Sequence, residues 1–422
     1  METKSYLCID LKSFYASVES VERGLDPMKV NLVVADPSRG KGAICLAITP
    51  AMKALGIKNR CRLFEIPPNV SYITALPRMR LYMKYSANIY SIYLKFISAE
   101  DIHVYSVDEC FIDITQYKRI YKKDEKQIAQ MLIDEVYKET RIRATVGIGT
   151  NLFLAKVALD ITAKRAKDFM GFLDEEEFKR SIWHHRPITD IWNIGNGIAR
   201  RLAKVGIHDL YGIAHFDDEW MYREFGVNAE FLIDHAWGRE PCTIADIHAY
   251  RSKSKSLSNS QILFEDYNRE DAMNVMHEMV DALVLEMFEQ NLVCSSISLF
   301  VRYSKDIEPP ASASVKLREI TNSYKKLRQY FTESYQRIVR TNCPIRQIGI
   351  SLNELLDESY ATFDLFTDLT AEEKEKQLQK TVLDIKRRYG KNTILKGISY
   401  TDKCTARTRN KLVGGHNGGE VQ

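Results

Sequence analysis

Two adjacent carboxylates, Asp108 and Glu109, lie between two runs of strand-forming residues. The flanking positions, which include Val104 and Phe111, are apolar or β-branched and suit a buried sheet, so a hairpin at the end of core strands is expected. Carboxylates in such a place need a compensating charge. A hard divalent cation such as Mg²⁺ often binds through one or two carboxylates and substrate phosphates. The pair therefore indicates a metal site, and a solvated turn is the simpler alternative.

A third acid, Asp10, lies near the end of a second predicted strand, Tyr6–Leu11. This run is apolar apart from the acid, which indicates a buried strand. If it pairs with the hairpin, Asp10 joins the other two acids. The aromatic residues Phe14 and Tyr15 follow directly, at the start of a predicted helix.

These motifs resemble those of a known family. The runs Ile9–Glu19 and Ser106–Asp113 are similar to the catalytic motifs of the Y-family, lesion-bypass DNA polymerases, and above all of the UmuC-like branch. The similarity extends from about Lys4 to about Asp368. It implies an α+β multidomain right-hand polymerase with a palm, fingers, a helical thumb that carries a helix-hairpin-helix, and an α+β little finger domain. The implied bounds are palm 1–20 and 76–170, fingers 21–75, thumb 171–240, linker 241–252, little finger 253–356 and tail 357–422.

Size and composition agree with a large intracellular enzyme. A chain of 422 residues is too long for one ordinary core, which predicts about two to four domains. Its formal net charge of +4 is mild, so binding to a polyanion would need a local concentration of basic residues. The eight cysteines form no CxxC pair, which favours reduced thiols. Without a signal peptide or an apolar run of about 20 residues, no membrane partner is expected, and the predicted location is cytoplasmic.

Hydrophobic periodicity predicts the coarse secondary structure. Alternating strands and helices in the first part of the chain indicate an α+β sheet with helices on one face. A short strand is expected at 42–46, and 315–338 is predicted to be mostly helical. Gly147 and Gly149 are interpreted as a strand end. A long helix is predicted at 78–96, with an apolar stripe of Met83, Ala87, Tyr90 and Leu94.

The resemblance implies a two-metal catalytic centre. Phosphoryl transfer to a DNA 3′ end is suited to two metal ions about 4 Å apart. By resemblance, Asp10, Asp108 and Glu109 are the catalytic ligands of two Mg²⁺ ions, and the backbone carbonyl of Leu11 is a further ligand. Many relatives have another acid two positions after the first one. This chain has Lys12 at that position, and UmuC-like members also lack the second acid.

Two lysines and two aromatic residues match the family's nucleotide site. Lys53 and Lys156 correspond to its triphosphate-binding cations, although Pro50 replaces a family tyrosine. Tyr15 matches the steric gate, an aromatic ring that collides with a 2′-hydroxyl, and Phe14 packs beside it. Taken without the resemblance, the lysines would be solvated helix residues and the aromatics core residues.

Two segments are predicted to contact the DNA backbone. A loop with Gly195 and Gly197 precedes a helix expected from about Ile198, and it resembles a helix-hairpin-helix that presents N–H groups to phosphate. An ordinary αα corner is the alternative. An extended strand further on would place three cations on one face, where they could follow a phosphate backbone. These cations, which alternate with serines as in a domain linker, are Arg251, Lys253 and Lys255.

A short peptide after the last predicted domain contains two aromatic residues in a polar setting, which suits capture by a hydrophobic groove. It resembles the Asp-Leu-Phe peptides by which bacterial polymerases hold the sliding clamp. The alternative is a tail that folds back on its own domain. The basic segment at 403–411 is typical of disorder. The residues of the predicted clamp-binding peptide are Phe363, Asp364, Leu365 and Phe366.

The resulting hypothesis is a template-directed, low-fidelity DNA polymerase for lesion bypass, which transfers a nucleotide from dNTP to a primer 3′-OH. Its expected partners are primer–template DNA, dNTP, the bacterial sliding clamp and accessory SOS proteins. A catalytically reduced scaffold of the same family is one alternative, but retention of Asp10, Asp108 and Glu109 argues against it. A nucleotide cyclase is another, although it would need no grip on DNA.

Overall fold

In the computed structural model, the chain forms two compact units, residues 1–251 with 416–422 and residues 252–415. The structure describes residues 3–251, 256–305, 307–365 and 367–419. Three predicted site residues lie outside these ranges, namely Lys253, Lys255 and Phe366. Across the described ranges, no helix is both long enough and apolar enough to cross a lipid bilayer.

The first unit combines an α+β part with a purely helical part. Its strands are β1 (Tyr6–Leu11), β2 (Leu32–Val34), β3 (Ala47–Ile48), β4 (Ile73–Ala75), β5 (Ile102–Val104), β6 (Glu109–Asp113), β7 (Ala144–Gly149) and β8 (Met170–Leu173). Its helices are α1 (Phe14–Val21), α2 (Pro50–Ala54), α3 (Met79–Tyr93), α4 (Tyr117–Tyr121), α5 (Glu125–Thr140), α6 (Leu152–Val157), α7 (Glu175–Ser181), α8 (Asn196–Ala203), α9 (Leu210–Ala214), α10 (Asp218–Phe225), α11 (Asn228–Ala236) and α12 (Ile244–Ala249).

A five-stranded sheet with the order β5-β6-β1-β7-β8 forms the centre of the α+β part. Adjacent strands are antiparallel except for β8, which runs parallel to β7. Cys8 of β1 packs against α6, whereas its neighbours Ile9 and Leu11 face α3. The expectation of helices on one face is therefore wrong. A strand that is apolar at consecutive positions needs cover on both faces.

Helix α6 lies very close to the sheet because two residues of β7 have no side chain. A Cβ atom on Gly147 would lie 2.0 Å from the carbonyl oxygen of Ala155, and one on Gly149 would lie 2.2 Å from the nitrogen of Ala155. Both glycines lie in the second half of the strand, as predicted. Their shared role is to admit the helix backbone, which brings Lys156 to the sheet.

A separate three-stranded sheet has the order β3-β2-β4. The strand predicted at 42–46 is wrong, because within the described residues this segment has only a single bridge, from Ile44 to Arg62, and β3 begins at Ala47. A backbone bond of 2.8 Å from the N–H of Cys45 to the carbonyl of Cys61 fixes the segment instead. The apolar residues of the segment could not reveal that Cys61, which is distant in the chain, is its partner.

The long helix predicted at 78–96 is confirmed as α3, but its apolar stripe is wrong. Met83 and Leu94 are exposed, whereas Tyr82, Ile89 and Tyr93 are buried. Apolar residues lie on more than one side of this helix, so periodicity alone could not identify the packed face. The buried face carries the aromatic residues Tyr82 and Tyr93, and Tyr82 contacts the predicted gate residue Tyr15.

The helical part of the first unit surrounds its own apolar core, which includes Leu202, Leu210 and Met221. Helix α8 begins at Asn196, two residues earlier than predicted, with Gly195 as its N-cap. No side chain caps this end of the helix. The loop and helix therefore present backbone N–H groups at a helix N-terminus.

The second unit is an α+β module followed by a helical extension. Its strands are β9 (Ser256–Tyr267), β10 (Leu292–Tyr303), β11 (Ala311–Thr321), β12 (Ile345–Asn353) and β13 (Leu356–Asp357), and its helices are α13 (Arg269–Gln290), α14 (Tyr324–Ile338), α15 (Leu369–Tyr389) and α16 (Ala406–Arg409). An antiparallel sheet with the order β11-β10-β12-β9 packs against α13 and α14. Two short strands end the described chain, β14 (Leu412–Val413) in this unit and β15 (His416–Asn417) in the first.

The prediction of helix over 315–338 is wrong in its first third. β11 extends to Thr321, and α14 begins only at Tyr324, where Ser323 caps the helix by accepting from the N–H of Lys326. Val315 and Leu317 are separated by a lysine, and this period of two is typical of a strand. The cap residue gives the boundary that the apolar pattern concealed.

The tail expected to be disordered is folded against the second unit. The buried carboxylate of Glu278 on α13 accepts hydrogen bonds from the N–H groups of Thr405 and Ala406, at 2.8 and 3.1 Å. Lys396 forms an ion pair with Asp281 at 2.8 Å. The basic composition of the tail did not reveal that it folds, because the acids that bind it, Glu278 and Asp281, lie on a helix more than 100 residues earlier.

Candidate active site

The three predicted acids converge at one edge of the five-stranded sheet. β1 and β6 pair antiparallel, and the register places Asp10 directly opposite Glu109. The N–H of Leu11 donates to the carbonyl of Asp108 at 2.9 Å. Cross-strand partners of this kind have side chains on the same face of the sheet. The structure thus brings together residues almost 100 positions apart in the chain.

Each acid of the hairpin engages a specific partner. Oδ1 of Asp108 accepts from the hydroxyl of Ser106 at 2.6 Å. Oε1 of Glu109 accepts from Nζ of Lys156 at 2.7 Å and from Sγ of Cys8 at 3.1 Å. The ammonium of Lys156 is therefore drawn directly to the acidic edge.

Asp10 has a perturbed carboxyl group. Burial, together with the neighbouring Asp108 and Glu109, raises its pKa to about 7, although Lys164 and Lys156 partly oppose the shift. Burial and nearby negative charge both disfavour the ionised carboxylate. The ionised form of Asp10 would be stabilised by a cation at this edge.

The donor set fits a hard divalent cation. The three side chains offer only carboxylate oxygens, the ligands that Mg²⁺ prefers, and a bound cation would offset the buried charge of Asp10. In the described part of the chain, no three His, Cys, Asp or Glu side chains are already grouped for an ion. Asp108 is hydrogen-bonded to Ser106, and Glu109 is paired with Lys156.

Lys156 is buried and held between two acids. Its Nζ lies 2.7 Å from Glu109 and 3.1 Å from Asp160, and Asp160 also pairs with Lys164 at 3.0 Å. Burial lowers the pKa of Lys156, but its neighbours Cys8, Asp160 and Glu109 outweigh burial and raise it. Lys164 was not predicted, and its only sequence signal was the i,i+4 spacing to Asp160.

Lys53, the other predicted cation, lies in the last turn of α2. Its side chain is exposed, yet desolvation of the ammonium lowers its pKa, while the charge of Asp10 opposes this shift. Lys156, in turn, is paired with Glu109 at 2.7 Å. Two lysines from different elements therefore interact with the acids.

The predicted gate residue Tyr15 is supported by a buried network. Its ring stacks on Tyr82, with centroids 4.5 Å apart and planes at 16°. The hydroxyl of Tyr82 donates to Glu19 at 2.8 Å, and Arg78 donates to both oxygens of Glu19 at 2.9 and 2.8 Å. Burial alone would raise the pKa of Glu19, but the bonds from Arg78, Arg23 and Tyr82 lower it. Apart from its place on a predicted helix, no sequence pattern pointed to Tyr82.

Phe14 is part of the core, with its side chain buried beside Tyr15 at a centroid distance of 5.8 Å. Ser13 precedes it with a left-handed φ of 50° and forms no side-chain cap to α1. The first N–H groups of a helix have no intrahelical partners, so they form a binding site for anions. This helix N-terminus directly follows the strand that carries Asp10.

The predicted loop of Gly195 and Gly197 lies beside a basic cleft of about 460 Å³. Arg186, Arg200 and His208 are among its lining residues. A helix N-terminus next to cationic side chains favours phosphate. The described structure thus supports an anion site at this loop.

Two other predicted contacts are described only in part. Arg251, the last described residue of its segment, donates to the carbonyls of His248 and Tyr250 at 2.8 and 3.2 Å, after α12, a helix that was not predicted. In the predicted clamp-binding peptide, Leu365 is fully exposed and Phe363 is 53% exposed.

The segments on both sides of the predicted clamp-binding peptide are anchored to the second unit. Before it, the N–H of Thr362 donates to the carbonyl of Ile320 at 3.0 Å. After it, Glu372 of α15 pairs with Lys326 at 2.9 Å. The described residues Phe363 to Leu365 therefore follow an anchored segment.

Comparison with known proteins agrees with this geometry. Residues 9–160 match the impB/mucB/samB family, and residues 254–365 match the C-terminal domain of that family. The "Putative UV-damage repair protein UvrX" of Bacillus subtilis (strain 168) is 31% identical over 98% of this chain and 97% of the relative. The chain belongs to the impB/mucB/samB family of Y-family DNA polymerases. DNA polymerase IV 2 of the same organism is 28% identical over 99% of both chains.

A solved structure supports the fold of this Y-family polymerase. A Y-family DNA polymerase chimera of Dbh and Dpo4 superimposes with a TM-score of 0.62 at 20% identity, covering 84% of this chain and 99% of the other. The predicted family and the α+β right-hand fold class are confirmed, and the C-terminal match corresponds to the little finger. The protein is thus a DNA-directed DNA polymerase of a metal-dependent, translesion family, with primer–template DNA and dNTP as substrates.

Proposed function

We propose that this Y-family polymerase copies damaged templates with low fidelity, using two Mg²⁺ ions held by Asp10, Asp108, Glu109 and the carbonyl of Leu11. The observation that carries the proposal is the register of β1 and β6, which puts Asp10 opposite Glu109 at the sheet edge. When bound, the two ions would activate the primer hydroxyl and neutralise the leaving pyrophosphate.

The surrounding residues bind and orient the nucleotide in this proposal. Lys53 and Lys156 flank the acids and supply positive charge for the triphosphate, and the open N-terminus of α1 adds backbone N–H groups. Phe14 supports the sugar pocket from the core. Tyr15 acts as the steric gate, because its ring is held rigidly against Tyr82.

Contacts to DNA are proposed at the loop of Gly195 and Gly197 and at three cations near the unit boundary. The basic cleft beside α8 supports the first contact. We assign the second to Arg251, Lys253 and Lys255, whose sequence alternates charge with serine. Both would hold the phosphate backbone, which gives affinity without base recognition.

A clamp partner is proposed for the peptide of Phe363, Asp364, Leu365 and Phe366. The exposure of Leu365 and Phe363 supports capture by a hydrophobic groove of a bacterial sliding clamp. We also propose that accessory SOS proteins assist the enzyme and that it works in the cytoplasm. The eight cysteines are free in the structure, which is typical of a reducing compartment.

Primer extension on undamaged and abasic templates tests the site and the function together. With Mg²⁺ and dNTP, the parent protein is expected to extend both templates and to misincorporate often, and Asp108→Ala is expected to extend neither. Extension by Asp108→Ala at the parent rate would reject the assigned acids. Failure of the parent on every template would instead favour a catalytically reduced scaffold.

A further inference from the structure

An aromatic contact joins the acid-bearing hairpin to the loop that precedes α8. Nε1 of Trp192 lies 3.2 Å from the hydroxyl of Tyr105 and donates to it. The two rings meet edge to face at a centroid distance of 6.0 Å, and each also contacts Phe111 of β6, at 5.7 and 6.1 Å. Edge-to-face pairs of this kind favour one defined geometry.

Tyr105 is one end of the tight turn that holds the acids. Its N–H and that of Ser106 both donate to the carbonyl of Glu109 at 3.0 Å. The hydroxyl of Ser106 in turn bonds the carboxylate of Asp108 at 2.6 Å. A displacement of Tyr105 therefore changes the hydrogen bonds that orient both acids.

Trp192 is held from the other side by rigid elements. Its ring stacks on buried His235 at 6.1 Å and 16°, and His235 stacks on Phe153 of α6 at 4.0 Å. His235 is itself fixed by Glu240, with Nε2 and Oε2 2.9 Å apart. Because α6 also carries Lys156, the indole lies between the nucleotide-binding helix and the acid turn.

Only two residues separate Trp192 from the proposed phosphate-binding loop. Asn193 adopts a left-handed φ of 67°, Ile194 is buried, and Gly195 is the N-cap of α8. A phosphate that docks at this helix N-terminus therefore acts on a segment that carries the indole three residues before Gly195. Tyr105 itself is 46% exposed, so the contact is not simple core packing.

We propose that Tyr105 and Trp192 are positioning residues that couple DNA docking at the Gly195 loop to the orientation of Asp108 and Glu109. The inference rests on the proposed function, since it takes the acids as catalytic and the loop as a DNA contact. It predicts that Asp108 and Glu109 reach their catalytic orientation only when the DNA backbone is bound at the Gly195 loop. Neither residue touches the reacting atoms.

Single-turnover incorporation of a correct dNTP is the first test, with Tyr105→Phe, Trp192→Phe and the double variant. Each single change removes one end of the hydrogen bond and keeps a ring. The rate of incorporation is expected to fall about fivefold, in line with the loss of one hydrogen bond. The dissociation constants for DNA and dNTP should stay within about twofold, and the double variant should be no slower than the slower single.

Tyr211→Phe serves as the matched control, since Tyr211 is a similarly exposed tyrosine of the helical part that packs on Trp183. It is expected to retain the parent rate. Additive losses in the double variant, or parent rates in all three, would overturn the coupling. A loss of thermal stability with an unchanged rate would do the same, because it would show a merely structural contact.

Fluorescence gives a readout that needs no catalysis. With EDTA present, primer–template DNA is expected to change the emission of the parent, and this change should be lost in Trp192→Phe and reduced in Tyr105→Phe. An identical change in parent and Trp192→Phe would overturn the inference. Failure of the proposed function is separate, since it would appear as full activity of Asp108→Ala whatever the result at Tyr105 and Trp192.

Discussion

Individual side chains at the sheet edge make several contacts that cannot be inferred from their residue types. Glu109 lies opposite Asp10 and also holds Lys156, so the same carboxylate links the acid cluster to the lysine cluster. The ring of Tyr15 stacks on Tyr82, and the hydroxyl of Tyr82 is held by its hydrogen bond to Glu19. If Tyr15 is the steric gate, as proposed, the selection of the sugar therefore depends on residues that do not contact the nucleotide.

Sugar selection should depend on both stacked tyrosines. Tyr15→Ala is expected to reduce the preference for dNTP over rNTP by at least about 100-fold, because the colliding ring is removed. Tyr82→Ala should reduce it less, since Tyr15 stays but loses its stacked support. Steady-state incorporation of each nucleotide type measures the ratio.

Tyr85→Ala provides the control for the second change, because Tyr85 is on the same helix and bonds to Glu22 instead. Its sugar preference should equal that of the parent. Equal preference in Tyr15→Ala and the parent would show that another group excludes the 2′-hydroxyl.

A buried histidine makes the second unit sensitive to acid. Burial, with Arg328 nearby, lowers the pKa of His277 to about 4 from the ordinary 6.5, and its Nε2 lies 2.9 Å from the hydroxyl of Thr332. The unfolded chain therefore takes up a proton at a higher pH than the folded unit. The stability contributed by neutral His277 is complete above pH 6.5 and is lost as the pH falls towards 4.

His277→Gln is expected to reduce the acid sensitivity of unfolding. Between pH 7 and 4.5 the parent should lose about 2 kcal/mol more of its free energy of unfolding than this variant. Urea titrations at the two pH values give the difference, with exposed His208→Gln as the control. The same loss in parent and His277→Gln would contradict the assignment.

A few specific contacts fix the positions of helices and strands, and local secondary-structure propensity does not predict these contacts. The two glycines of β7 allow α6 to approach, and this approach places Lys156 next to Glu109. Likewise, Ser323 decides where β11 gives way to α14. Errors in the predicted strands and helices occurred at such places.

Gly147→Ala tests the close packing of α6. The new methyl group would lie 2.0 Å from a backbone oxygen, so the helix must shift, and a loss of about 3 kcal/mol in the free energy of unfolding is expected. Incorporation should slow as well, because Lys156 moves with the helix. Urea unfolding and primer extension measure the two effects.

Gly42→Ala is the matched control, since its Cβ would meet only the end of the Arg62 side chain at 3.8 Å. Its stability should remain within about 0.5 kcal/mol of the parent. If Gly147→Ala were equally harmless, the contact between α6 and β7 would have to be looser than the structure shows.

At the scale of the whole molecule, the described part of the tail is folded. Its helices continue beyond the part that matches the family's C-terminal domain, and Glu278 and Asp281 hold the tail against the second unit. The last described residues join the first unit, where the carbonyl of Gly418 accepts from the N–H of Arg80 at 3.0 Å. The predicted clamp-binding peptide thus precedes a folded segment.

Clamp-stimulated synthesis should depend on the exposed peptide. Replacing Leu365 and Phe366 by Ala is expected to weaken binding to a bacterial sliding clamp by about 2–4 kcal/mol, the usual cost of losing interface anchors. Extension without the clamp should be unchanged, since the peptide is remote in the chain from the acids. Surface plasmon resonance and primer extension with and without clamp measure both.

Leu378→Ala is a suitable control, because Leu378 is similarly exposed on α15 outside the peptide. It should bind the clamp like the parent. Unchanged clamp binding in the double variant would assign the peptide to another partner.

The linear order of residues was sufficient for the family, the α+β class and the set of candidate acids, because long motifs carry strand, turn and charge information within about ten residues. In the second unit it indicated α13 and, apart from its start, α14, but neither helix of the tail. Predictions failed where a partner is distant in the chain, as for the segment around Ile44, the packed face of α3 and the tail.

Folding alone decided which of those residues meet. The register that sets Asp10 against Glu109, the ion pair of Lys156 with Glu109, and the contact of Trp192 with Tyr105 all join positions from about 50 to 100 residues apart. Such pairs depend on backbone hydrogen bonds and close packing between elements, and no local pattern of residue types encodes them.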